Sequence, residues 1–186
     1  HMKDNDLEVV VLTRNMGGLP SVVDDQNYRL IRLGASIPKI EFAFRMIAYL
    51  LLKGSNFSVI HCHTFSGIVF VPLLIGKMLG IPVILKITRT GKGSLLESYG
   101  ATVIGRIKLK LMARLAFSLV SITSEVKQYL LSWSVSEKKI VSIANGVDIP
   151  YEFPQSSDGV VRMTSVGRLI VRKRFDMAIR AVAQTG

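Results

Sequence analysis

Residues 58–87, SVIHCHTFSGIVFVPLLIGKMLGIPVILKI, decide the fold. Ser58 to His63 is a short run rich in β-branched and aromatic-sized side chains, which predicts a strand. Gly67 to Leu79 is long, apolar and closed by Gly80, which predicts a buried helix ending at a left-handed glycine. Pro82 to Ile87 (PVILKI) is a second strand. Strand, helix and strand in that order make one βαβ unit, so the two strands lie parallel in one sheet.

The same alternation continues outward on both sides. Towards the amino terminus, Leu7 to Thr13 reads as a buried strand and Tyr28 to Leu33 as a strand with one wet face. The Gly- and Pro-bearing stretch Asn15 to Asp25 between them reads as a loop. Pro38 to Lys53 carries apolar residues at helical spacing, with Pro38 suited to a first turn and Gly54 to the position after the last. Towards the carboxyl terminus, Thr88 to Ser94 (TRTGKGS) is a basic loop and Leu95 to Phe117 a helix. Leu119 to Thr123 is a strand, and Ser124 suits the cap of a helix from Glu125 to Ser132. Lys139 to Ile143 is a further strand, ending at the turn pair Asn145-Gly146. The expected class is α/β: a Rossmann-like parallel sheet with helices on both faces.

The texture changes at Pro150 to Gly159 (PYEFPQSSDG), which reads as a linker. Beyond it, Val160 to Val166 is expected as a strand, Gly167 to Lys173 as a loop and Phe175 to Ala183 as a helix. The domain expectation is therefore an incomplete domain over 3–149, a linker over 150–159 and one strand-loop-helix unit over 160–186.

The chain has 186 residues, with 24 Lys plus Arg against 13 Asp plus Glu, a net charge of +11. Apolar residues make up 49% of it, which excludes a disordered chain. The 15 glycines without period and the single cysteine, Cys62, exclude collagen-like and disulfide-stapled scaffolds. The charge points to an anionic partner. His1-Met2 reads as a cleavage scar, and no signal peptide follows it. The most apolar stretch, Ile68 to Leu85, holds Lys77 and is broken by Pro72, Gly76, Gly80 and Pro82, so it fits a helix and a strand better than a membrane span.

In doubly wound sheets, ligands sit at the carboxyl ends of the strands. Gly167 to Lys173 follows a strand and opens a helix. There Arg168 and Lys173 can converge on a polyanion beside free helix N–H groups, and a solvated basic turn is the alternative. Thr88, Arg89, Gly91 and Lys92 could cradle a phosphate or sugar hydroxyls, or form a plain surface loop. The spacing is wrong for the G-x-x-x-x-G-K-[ST] nucleotide loop. His61 and His63 leave one strand face, two residues apart. A zinc site needs more ligands than these, so the pair is read as touching substrate or packing under a loop. The segment Thr102 to Phe117 is basic and amphipathic, so contact with anionic lipid stays open for its cations, while its apolar stripe is expected to face the sheet. Nucleic acid is not expected, because no aromatics interleave with the basic runs.

Taken together, five segments resemble the retaining glycosyltransferases of the GT-B fold, family GT4. They are Ser58-Val59-Ile60-His61-Cys62-His63, Gly80-Ile81-Pro82-Val83, Thr123-Ser124-Glu125, Lys138-Lys139-Ile140 leading to Asn145-Gly146-Val147-Asp148, and Val166-Gly167-Arg168-Leu169 with Lys173. The resemblance implies that Gly167, Arg168 and Lys173 hold a donor diphosphate. His63, Thr88, Arg89, Gly91, Lys92, Ser124 and Asn145, which follow strands, are candidates for the acceptor and sugar side. Thr88 stands where many family members have a histidine, so no catalytic residue is carried over. Ala144 replaces the usual proline before Asn145.

The resemblance also implies a missing strand between those at Leu7–Thr13 and Ser58–His63, and a missing two-glutamate donor motif. The piece is therefore expected to be inactive alone. Val160 to Ala183 is expected to fill the vacant slot, as in a circular permutation, with strand exchange in a dimer as the rival. The implied partners are a nucleotide-sugar and a glycan or lipid-linked acceptor, with no metal or cofactor. The implied location is the cytoplasm, peripheral on the inner membrane face. Two alternatives stay open: an engineered folding fragment without activity, and a basic module that binds membranes or polyanions.

Overall fold

The computed structural model describes residues 7–15, 17–34, 40–63, 65–91, 93–146 and 162–184. Its contacts divide the chain into two compact units, 1–146 and 147–186. The linker expected over 150–159 lies outside the described residues.

The first unit holds two ladders. In one, β1 (Val10–Arg14) pairs parallel with β3 (Arg29–Leu33), and β2 (Val22–Asp24) pairs antiparallel with β3. The short β2 falls inside the stretch read as a loop. Asn15 and Asp25 make the turns on either side of it: the Asn15 side chain accepts from the Gly17 N–H at 2.9 Å, and the Asp25 N–H donates to the Tyr28 carbonyl at 2.9 Å. The second ladder is all parallel, in the order β4 (Ile60–Cys62), β5 (Val83–Ile87), β6 (Ser118–Ser121) and β7 (Ile140–Ser142). Helices flank it, which is the Rossmann-like α/β class the sequence predicts. Among the described residues β1 and β4 do not pair, and each keeps one edge without a strand.

Burial alternates along β5: Val83, Leu85 and Ile87 are inside, while Ile84 and Lys86 are only half covered. The inward set joins Leu73, Leu109, Met112, Leu119 and Leu130 in one cluster. Each fully buried side chain of this size contributes about 1.5–3 kcal/mol by leaving water. A second cluster forms around Met46, Leu50 and Ile75, with Leu12, Leu33 and Ile60 against it, so helix packing spans both ladders.

Helix α1 covers Ile40–Lys53, and α2 covers Phe70–Leu79. Gly80 caps α2 at φ 72°, ψ 17°, the left-handed region that a side chain disfavours. Gly54 does not play that part for α1: a short 3-10 turn, Gly54–Asn56, continues the helix instead.

The single helix expected over Leu95–Phe117 is two, α3 (Leu95–Gly100) and α4 (Val103–Leu115). Thr102 breaks it, because its hydroxyl accepts from the Gly105 N–H at 3.0 Å and starts a new helix. On α4 the residues Gly105, Leu109, Met112 and Ala113 are buried, whereas Val103, Ile104, Ile107 and Leu111 are exposed. The expected single stripe is therefore two, and only one of them faces the core.

Helix α5 runs Ser124–Ser132. Its cap is Thr123, whose hydroxyl accepts from the Val126 N–H at 3.3 Å, and Ser124 is the first helical residue rather than the cap.

In the second unit α6 covers Phe175–Ala183, as the periodicity predicts. The strand expected over Val160–Val166 is corrected by its described part: residues 162–166 are exposed and form no strand. Among the described residues the strands of both ladders lie between Val10 and Ser142. A strand exists only by pairing its backbone N–H and C=O groups with a neighbour, and the described residues of this unit form only a 3-10 turn and α6.

Candidate functional site

Because β4 to β7 are parallel, their carboxyl ends share one edge. The register sets Cys62 beside Leu85, Ile87 beside Ser121, and Ser121 beside Ser142. The residues that follow, His63, Thr88, Ser124 and Asn145, therefore gather along that edge, and all four are exposed. Lys92 lies outside the described residues.

The loop after β5 is closed on itself. Gly91 and Gly93 both take positive φ, 79° and 75°. The Ser94 N–H donates to the Gly91 carbonyl at 3.0 Å, and Arg89 Nη2 donates to the Gly93 carbonyl. Glu97 locks the far side: its carboxylate accepts from the Gly93 N–H at 3.0 Å, and its own N–H donates to Ser94 Oγ at 3.1 Å. Arg89 is thus turned back into its own loop and uses one donor there. Glu97 was missed as a loop-shaping residue, although Ser94-x-x-Glu97 is a capping-box spacing legible in the sequence. Phe65, just beyond β4, meets the Tyr99 ring edge-on at 5.8 Å, which ties the loop after His63 to α3.

The two histidines do share a face, with ring centroids 4.3 Å apart. Burial first, then His63 and Lys86, lower the pKa of His61, so it favours the neutral form. Cys62, between them on the opposite face, is half-buried, and burial pushes its thiol up to about 12, far from a reactive thiolate. Among the described residues no three His, Cys, Asp or Glu side chains gather as a metal site would need. Ser121 and Ser142 pair across β6 and β7, Oγ to Oγ 3.2 Å, a half-buried contact that no periodicity announces.

Within the second unit, Gly167 lies against Phe175 and Lys173. A Cβ placed on it would come 3.2 Å from the Phe175 ring and 3.8 Å from the Lys173 stem. The intervening chain is compact: the Ile170 N–H donates to the Arg168 carbonyl and the Lys173 N–H to the Ile170 carbonyl, both at 2.8 Å. Gly167 and Lys173 are therefore brought together, and the Arg168 and Lys173 side chains stand exposed.

Residues 1–150 match the family model described as Glycosyltransferase Family 4. The chain belongs to glycosyltransferase family 4. Its class of chemistry is glycosyl transfer, between a sugar donor and an acceptor. The strand-end residues His63, Thr88, Ser124 and Asn145 lie inside the matched stretch of this family 4 chain, and Gly167, Arg168 and Lys173 lie outside it. No curated protein matches the chain. No helix among the described residues is long and apolar enough to cross a membrane.

Proposed function

We infer that the chain is part of a retaining glycosyltransferase that takes its sugar from a nucleotide-sugar and passes it to a glycan or lipid-linked acceptor. The observation that carries the donor half is the loop Gly167–Lys173, where a side-chain-free residue lies against the stem of a lysine and an arginine follows it directly. Arg168 and Lys173 hold the donor diphosphate. As the glycosidic bond breaks, negative charge grows on the departing phosphate oxygen, and fixed cations there lower the barrier. Two cations can do this without a metal ion. Gly167 keeps the backbone low enough for the phosphates to approach. The exposed groups on the strand-end edge, His63, Thr88, Ser124 and Asn145, supply hydrogen bonds to sugar and acceptor hydroxyls.

Titration of the chain with UDP, GDP and inorganic phosphate tests the reading. Saturable binding of a nucleoside diphosphate, lost in Arg168→Ala, is the expected result. Binding that follows only ionic strength, whichever polyanion is used, would count against it.

A further inference from the structure

Three helices of the first unit lie side by side, α1 against α2 and α2 against α4. Each buries one face on the core, and each also carries apolar residues on the opposite, outward face. On α1 these include Phe44, 68% exposed, and Leu52. On α2 they are Leu74 and Met78, the latter 73% exposed. On α4 they are Ile104, Ile107 and Leu111, with Ile104 67% and Ile107 60% exposed. Scattered exposed apolar residues are ordinary, but a run of them along adjacent helices marks a contact surface.

The charge on these helices says what kind of contact. Together α1, α2 and α4 carry seven cations and one acid. The acid, Glu41, is paired with Arg45 at 2.8 Å. No acid occurs between Glu97 and Glu125. With 3.6 residues per turn, Lys108 borders the outward stripe of α4 on one side and Lys110 on the other, with Arg114 continuing it into the last turn. Among the described residues none of these three is in an ion pair. Lys110 and Arg114 also line a cavity of about 290 Å³ with Trp133, Ser134 and Ser136, room for a phosphate group beside the helix. A protein partner or a second copy of this basic chain would have to supply the opposing charge. An anionic bilayer supplies it everywhere, together with an apolar layer beneath.

We propose that the outward face of α1, α2 and α4 docks on an anionic membrane surface. The apolar side chains enter the headgroup boundary, while Lys108, Lys110 and Arg114 meet lipid phosphates. Interfacial helices bind in this way, by apolar area plus charge. This goes beyond glycosyl transfer and does not depend on which donor or acceptor is used.

The test is co-sedimentation of the chain with vesicles of phosphatidylcholine and phosphatidylglycerol, against vesicles of phosphatidylcholine alone. Binding to the anionic vesicles is expected, weakened about tenfold or more by the exposed-site pair Ile107→Glu and Leu111→Glu, since the apolar contribution is lost. Lys108→Glu and Lys110→Glu should each weaken it about fivefold or more, the effect of one cation at the surface. Soluble glycerol phosphate should not displace the chain, which separates a bilayer from a free phosphate ligand. Melting temperatures equal to the parent's establish that the variants fold, and Met78→Glu on α2 is the independent second variant. Three results would each overturn the proposal: no binding to anionic vesicles; binding untouched by every apolar-to-Glu change; or a dimer in sedimentation equilibrium that Ile107→Glu splits, with no vesicle binding.

Discussion

The Lys139 ammonium donates to the Ala116 carbonyl oxygen at 2.7 Å, and the same nitrogen donates to the carbonyls of Arg114 at 2.8 Å and Ala113 at 3.0 Å. An ammonium has three protons, and all three are used here on the carbonyls that close α4. These are the groups a helix leaves unsatisfied at its end, where the dipole also favours a cation. Lys139 immediately precedes β7, so one side chain fastens the end of α4 to the start of the last strand. Lys139→Ala should cost about 2 kcal/mol, within the range for charge-assisted hydrogen bonds. Lys139→Met, which keeps the stem, should recover little of it. Urea unfolding of the two variants reads this directly, and a full recovery by Met would assign the effect to packing instead.

Gly105 of α4 lies against the backbone of Tyr99 on α3. A Cβ there would overlap the Tyr99 carbonyl oxygen and lie 2.7 Å from the Tyr99 Cα. These are backbone atoms, which cannot swing aside. Gly105→Ala should therefore destabilise by about 1–3 kcal/mol, even though alanine is the better helix former. Thermal denaturation should show a lowered midpoint, and an unchanged or raised one would mean that the two helices can part at no cost.

The His61 shift has a definite sign in stability. A lowered pKa means that the native state binds the proton more weakly than the unfolded chain does. Stability is therefore fully present above the unfolded value, about 6.5, and declines as the pH falls below it. The groups acting on His61 are His63 and Lys86, both of the same charge sign when protonated. Melting curves from about pH 7.5 to pH 5.5 should show a falling midpoint whose slope is shallower in His61→Gln. Identical slopes in parent and variant would show that His61 is not part of it.

Much of this molecule is legible in its sequence, and the failures have physical causes. The βαβ core reads well because Val83, Leu85 and Ile87 alternate inward while α2 is apolar throughout and closed by Gly80. The cap of α5 is off by one residue because Thr123 and Ser124 are both good caps, and only backbone angles decide between them. The break at Thr102 is hidden because no proline or run of turn residues marks it. The second stripe on α4 is invisible to a one-face reading of periodicity, since Ile104 and Ile107 look like core residues until the core is located. The strand expected at Val160–Val166 has the right residues, but its described part, 162–166, forms none, because a ladder depends on a neighbour that composition cannot supply. At the site, the parallel order brings His63, Thr88, Ser124 and Asn145 to one edge as expected, whereas Arg89 turns back onto Gly93 for reasons of loop geometry alone.

Holding of a donor diphosphate by Arg168 and Lys173 is tested most directly by calorimetric titration with UDP and UMP. One-site UDP binding about tenfold tighter than UMP binding, and abolished when Arg168→Ala and Lys173→Ala are combined, is the predicted result. Equal affinity for the two nucleotides, or UDP binding that survives the double change, would contradict it.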